Sequence, residues 1–156
     1  GNWPLIGPPG EREGRGQTST TAFATALTGV ATDDQSVSTR VRLDTFNPSP
    51  QGAWFGVFAR YVDSRTHYYL TVRSSGELQI RKQVNGVISV LASAPFAPAP
   101  GTFHDLRLDV LGNQLHAFVN GQRVAQALDD AISRGIYGLG TYRTAATFRN
   151  PNVLQP

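Results

Sequence analysis

Ala53–Val90 reads AWFGVFARYVDSRTHYYLTVRSSGELQIRKQVNGVISV, and the periodicity of this stretch decides the fold. Tyr68, Leu70 and Val72 alternate with Tyr69, Thr71 and Arg73; Leu78 and Ile80 alternate with Glu77, Gln79 and Arg81. An apolar side chain at every second position is the mark of a strand with one buried face, whereas a helix repeats every ~3.6 residues. Ser75-Gly76 and Asn85-Gly86 punctuate the runs. Asn-Gly supplies the left-handed backbone that a two-residue hairpin turn requires. Residues 53–62, 67–73 and 77–82 are therefore expected to be consecutive antiparallel strands sharing one sheet.

The same period runs outward in both directions. Val37, Thr39, Val41 and Leu43 alternate with Ser38, Arg40, Arg42 and Asp44. His104, Leu106, Leu108 and Val110 alternate with Asp105, Arg107 and Asp109, and Leu115, Ala117 and Val119 with His116 and Phe118. Gly112-Asn113 and Asn120-Gly121 are further turn signals, and the Pro clusters at 4–9, 48–50, 95–100 and 151–156 fall outside the alternating runs. Only Ala125–Ser133 has helical character, and Asp129-Asp130 shortens it to about one turn. Strands at short spacing with almost no helix predict an all-β sandwich or barrel filling the chain as one domain, 1–156. Residues 1–16 are loosely patterned, with one short edge strand expected at Trp3–Ile6, and the tail 150–156 is expected to fray.

Composition narrows the function. At 156 residues the chain can bury one real core, so disulfides and structural metals are not compulsory. Hydrophobic residues make up 40% and charged residues 16%, a balance that excludes a disordered chain. No apolar run is long enough for a membrane helix, and no charged start with an apolar stretch marks a signal peptide. A leading Gly1 and the absence of Met are expected of an excised or processed segment. Without Cys there is no thiolate chemistry and no Cys-based zinc site. Of the 14 basic residues all but Lys82 are Arg, scattered rather than in a block, which argues against nucleic acid as a partner. A GC-rich codon preference gives the same surplus.

The motif apolar-Gly-Val-X-X-Arg-Tyr, then Asp63, Tyr68-Tyr69-Leu70, a Gly turn and X-Leu-X-Ile-X-Lys resembles the concanavalin A-like, laminin-G-like jelly-roll modules. Pro95-Phe96, the strand Phe103–Val110, Asn120-Gly121, Gly138-Leu139-Gly140-Thr141-Tyr142 and Ala146-Thr147-Phe148 agree with it, so the likeness covers about residues 20–150. It is especially similar to modules appended to bacterial, often actinobacterial, pectate lyases and other polysaccharide-degrading enzymes. The resemblance implies a two-sheet antiparallel jelly-roll β-sandwich, secreted, covalently linked to a catalytic domain and binding a polysaccharide. The closing strand departs: Phe148-Arg149-Asn150-Pro151 stands where those modules carry Phe, one or two Asp, then Val. No cofactor is required; Asp33-Asp34 and Asp129-Asp130 are the oxygen pairs that could hold a structural calcium, although paired Asp in loops are more often turn residues.

Sorting the strands by face gives the candidate ligand-binding residues. With Phe55, Val57 and Ala59 facing the core, Trp54 and Arg60 face outward, joined by Tyr69, Arg73, Gln79, Arg81 and Tyr142. Aromatic rings stack on the apolar face of a pyranose, while Arg and Gln bond hydroxyls or a uronate carboxylate. The Arg surplus favours an acidic plant or algal polymer. An outer sheet face on which Arg merely covers its aromatic neighbours is the alternative for the group. His67, His104 and His116 have no metal spacing and are expected to be structural, His104 inward and His116 toward solvent.

No catalytic residue is assigned. Glu77 is read as the only strand Glu, with no second acid two or four residues away, which argues against a retaining glycosidase. A jelly-roll polysaccharide lyase acting on a uronate polymer is the runner-up, since such sites use Arg, Gln, His and Tyr. Against it, Gln79-Ile80-Arg81 puts Arg where the lyase pattern Gln-Ile-His has His. A laminin-G-like protein-interaction or spacer domain is the third reading.

Overall fold

The computed structural model describes residues 5–6, 13–17, 23–50 and 52–154, and all regular structure among them is strand. One sheet runs, edge to edge, through β1 (Leu5–Ile6), β2 (Glu13–Gln17), β13 (Thr144–Leu154), β4 (Gln35–Phe46), β9 (Phe103–Leu111), β10 (Gln114–Val119) and β11 (Gln122–Leu128). The other runs through β3 (Phe23–Thr32), β12 (Gly135–Tyr142), β5 (Trp54–Asp63), β6 (Thr66–Arg73), β7 (Glu77–Val84) and β8 (Val87–Pro95). Every pairing is antiparallel, and the two sheets stack as a jelly-roll sandwich.

The inward phases are those the alternation predicts. Val37, Val41, Leu43, Leu106, Leu108, Val110, Leu115 and Ala117 from one sheet meet Phe55, Val57, Tyr68, Leu70, Val72, Leu78 and Ile80 from the other in one buried core. The hairpin turns also form where expected. Asn85-Gly86 and Asn120-Gly121 have positive φ at both residues, the type I′ geometry that matches the strand twist.

Several expectations change. Ala125–Leu128 belongs to β11, not to a helical turn: it pairs with β10 across a bulge at Ala117/Phe118, and Ala125 and Ala127 pack against the core. The tail does not fray before Leu154, because β13 pairs with β4 out to Leu154↔Ser36. Pro151 is tolerated inside that strand because it lies in the register shift between Arg149 and Asn152, where no ladder donor is needed. Of the predicted edge strand, Leu5–Ile6 forms, while Trp3 and Pro4 lie outside the described residues, as do Gln155 and Pro156. Glu13 lies in β2, so Glu77 is not the only strand Glu.

The change with most consequence is Arg60. Simple alternation puts it outside, beside Trp54, but β5 carries a register shift against β6 between Ala59 and Asp63, and another against β12. Arg60 has φ 43° and is 3% exposed. A bulge re-aims one side chain and hands its face to the next residue. Here the guanidinium turns toward the end of the sandwich, where Nε donates to the Asp33 carbonyl (2.6 Å) and Nη1 to the Ile132 carbonyl (2.9 Å). Buried Gln35 completes the join, accepting from the Arg60 amide (2.9 Å) and donating to the Gly135 carbonyl (2.6 Å). Tyr61 takes the vacated place on the outer face.

Candidate functional site

The outer face of the six-stranded sheet carries a groove of about 490 Å³. Cross-strand registry assembles it: Trp54 lies opposite both Arg73 and Tyr142, Phe58 opposite Tyr69, Tyr69 opposite Arg81, and His67 opposite Gln83. Residues directly opposite in a ladder share a face about 5 Å apart, so strand pairing alone gathers these groups. Trp54, Phe58 and Tyr69 pack with ring centroids 5.6–6.0 Å apart and are only 2–4% exposed, forming the floor. Half-buried Tyr61 and Tyr142 pack against them as the rim. Gly140 makes the floor possible: a Cβ there would sit 2.4 Å from Cε2 of Phe58, so only a bare backbone lets that ring lie down on β12.

His67 stands at one end of the groove, stacked on Tyr61 (5.0 Å, 8°) and edge-on to Phe58 (4.9 Å) and Tyr69 (5.0 Å). Its Nδ1 lies 3.1 Å from the Asp63 carbonyl, which can only accept, so Nδ1 carries the proton and Nε2 is the free acceptor. Burial holds the imidazole below its ordinary pKa, outweighing the opposing pull of Asp63.

The cations at the other end of the groove are unusual. Arg73 is 8% exposed and donates from Nη1 to Thr71 Oγ1 at 3.3 Å. Arg81 donates from Nε to Gln79 Oε1 (2.7 Å), and Gln79 Nε2 in turn donates to Glu77 (2.8 Å). Among the described residues neither guanidinium has a carboxylate within 4.0 Å. Burial, then repulsion from Arg81, lowers the Arg73 pKa to about 10, outweighing the weaker pull of Tyr69 and Glu77. A buried cation with no described carboxylate in contact, facing a groove, is arranged to accept one from outside. Among the described residues lining the groove there is no Asp or Glu.

Of the sequence-predicted residues, Trp54, Tyr69, Arg73, Arg81 and Tyr142 line this groove, and Gln79 holds Arg81 from beside it. Arg60 does not join them, for the reason given above. Trp54 is floor rather than an open stacking platform. Phe58, Tyr61, His67, Gln83 and Ile88 also line the groove and were not anticipated. Phe58 shares the phase of Trp54, His67 that of Tyr69, and Gln83 that of Arg81, so the alternation carried those three. Nothing in the sequence marked the bulge that delivers Tyr61. His104 continues its strand's inward phase, edge-on to Phe96 at 5.2 Å, but its buried Nε2 has no hydrogen-bond partner among the described residues, and His116, on the opposite phase, is half-buried rather than open to solvent.

One carboxylate of each acidic pair named for calcium, Asp34 and Asp129, is engaged by the chain's own cations. The Asp33 carbonyl and, at 3.4 Å, the Asp34 carboxylate receive Arg60. Asp129 receives Lys82 Nζ (2.6 Å), the Tyr68 hydroxyl (2.6 Å) and the Ala131 amide (2.9 Å). Burial alone would raise the Asp129 carboxyl, but these three donors hold it below the usual range. Burial and the same Asp129 bond raise the Tyr68 hydroxyl.

Neither the protein-family models nor the curated protein sequences compared with this chain give a match. Solved structures do. The carbohydrate-binding module CBM66 from Bacillus subtilis superposes with TM-score 0.80 at 18% identity, over 99% of this chain and 92% of that one. Sheep galectin-11 matches with TM-score 0.58 at 15% identity, over 88% of this chain and all of that one. The GH43 protein BlXynB of Bacillus licheniformis matches with TM-score 0.68 at 15% identity, over 97% of this chain but 34% of that one. The chain thus has the jelly-roll sandwich fold found in carbohydrate-binding modules and galectins.

Proposed function

We propose that this chain is a non-catalytic carbohydrate-binding module that holds an acidic polysaccharide in the groove of its six-stranded sheet. The observation that carries this reading is Arg73: a buried guanidinium with no described carboxylate within 4.0 Å, opposite Trp54 of the aromatic floor and in the same groove as Arg81, Tyr61 and Tyr142. The rims pack on the apolar edge of a sugar ring, and the arginines bond a uronate carboxylate. Such a module belongs outside the cell, joined to a catalytic domain as in the enzyme-appended modules it resembles. The match of nearly the whole chain to about a third of BlXynB supports that arrangement. The engagement of Asp34 by Arg60 and of Asp129 by Lys82 supports a module that needs no calcium.

Native affinity electrophoresis through gels containing pectate, alginate, xylan, arabinan, levan or no polymer tests the reading. Retardation in pectate or alginate that Arg73→Met abolishes is the expected result. Uniform mobility in every gel would overturn it in favour of a protein-facing or spacer domain. One observation favours a second reading: His67, neutral and with Nε2 as a free acceptor, stands with Tyr69, Tyr142, Arg73 and Gln83, the residue types of a lyase that abstracts a proton beside a uronate. Growth of ultraviolet absorbance from unsaturated ends on pectate or alginate would establish it, and a flat trace would end it.

A further inference from the structure

The groove does not stop at Gln83 and Arg81. In the ladder between β7 and β8, Gln83 lies opposite Ile88 and Arg81 opposite Val90, so these two aliphatic side chains stand on the same face, one strand farther out. Ile88 lines the groove itself. Ile88 and Val90 are 52% and 50% exposed, on a strand that carries no charged residue from Val87 to Pro95. Edge strands are ordinarily protected by charge, and branched aliphatic side chains gain nothing from sugar hydroxyls. We infer that Ile88 and Val90 form an apolar subsite for a substituent on the bound saccharide, an O-acyl group or an alkyl aglycone.

Geometry selects this occupant over a second copy of the chain. A strand added to the edge of β8 would hydrogen-bond in the plane of the sheet, whereas side chains on the face stand perpendicular to it and would stay uncovered. The edge is also interrupted, because the register shift opposite Ile80/Arg81 leaves Leu91 without a cross-strand partner. A ligand in the groove, by contrast, meets Ile88 directly. Val90 lies about 7 Å farther along the strand, so a short chain leaving the sugar at Gln83 runs over both.

This inference rests on the saccharide reading of the groove, and the experiment separates the two. Calorimetric titration uses methyl, butyl and octyl glucuronides below their micelle concentrations, with light scattering on the same samples. Affinity rising up to about fourfold per methylene, then levelling once Val90 is covered, is expected. Val90→Thr should leave methyl glucuronide affinity unchanged and remove much of the gain from butyl to octyl. A second arm compares O-acetylated with deacetylated polymer in affinity gels. Stronger retardation by the acetylated form, with little gain along the alkyl series, would identify the acyl group as the substituent. Equal affinity for all three glucuronides together with equal retardation by both polymers would overturn the apolar subsite and leave the groove reading standing. Absence of binding by every probe would overturn both. A dimer that Val90→Thr dissociates would reassign the patch to self-association and overturn the subsite.

Discussion

Arg73→Met should make the protein more stable and less able to bind. Burial lowers the Arg73 pKa from its ordinary value to about 10, so its charged form is disfavoured in the fold at every pH below that value. At 1.36 kcal/mol per pKa unit, holding the charge costs on the order of 3 kcal/mol. Met keeps an unbranched stem of similar reach and removes the charge, and replacing a buried ion by an apolar side chain commonly stabilises by about 1–4 kcal/mol. One hydrogen bond, to Thr71, is lost at about 1 kcal/mol. The net gain is about 2 kcal/mol, which for a chain of this length raises Tm by about 4–8 °C. Binding moves the other way: losing a charge-assisted bond of about 1.5–3 kcal/mol weakens uronate affinity by roughly 10- to 150-fold. Differential scanning calorimetry with and without oligogalacturonate reads both quantities from one sample. A variant that is destabilised, or that still gains Tm from the ligand as the parent does, would refute the account of Arg73 as an ion held for an external partner.

Arg60→Met should behave oppositely, losing about 1–3 kcal/mol by urea unfolding for each of the Asp33 and Ile132 carbonyls left without its donor, with polysaccharide affinity unchanged. Gly140→Ala drives a methyl into the Phe58 ring; a destabilisation of about 1–3 kcal/mol and weaker retardation in affinity gels are expected. The Asp129 carboxyl is held low in the fold, so its contribution is present above the ordinary carboxylate pKa of about 3.9 and is lost as pH falls through the lower folded value. Asp129→Asn should accordingly flatten the acid limb of the urea midpoint against pH. Because Arg60 and Lys82 already engage Asp34 and Asp129, chelator and added calcium should both leave Tm unchanged.

The class of the fold was legible in the sequence because a strand's faces alternate strictly, and a period of two survives whatever the strands later pack against. The inward phases of β4, β6, β7, β9 and β10, the Asn-Gly hairpins and the grouping of Trp54, Tyr69, Arg73, Arg81 and Tyr142 all follow from that one rule. It fails where the backbone departs from it. The bulge in β5 reverses the phase after Ala59, sending Arg60 into the end of the sandwich and Tyr61 onto the groove. β11 reads as a helical turn because Ala is a strong helix former and its partner strand is not visible locally. That Arg73 and Arg81 have no carboxylate within 4.0 Å among the described residues, and that Trp54 is floor rather than platform, were decided by tertiary structure alone. Burial and pairing depend on which strands become neighbours, and a linear sequence specifies faces without specifying what stands across from them.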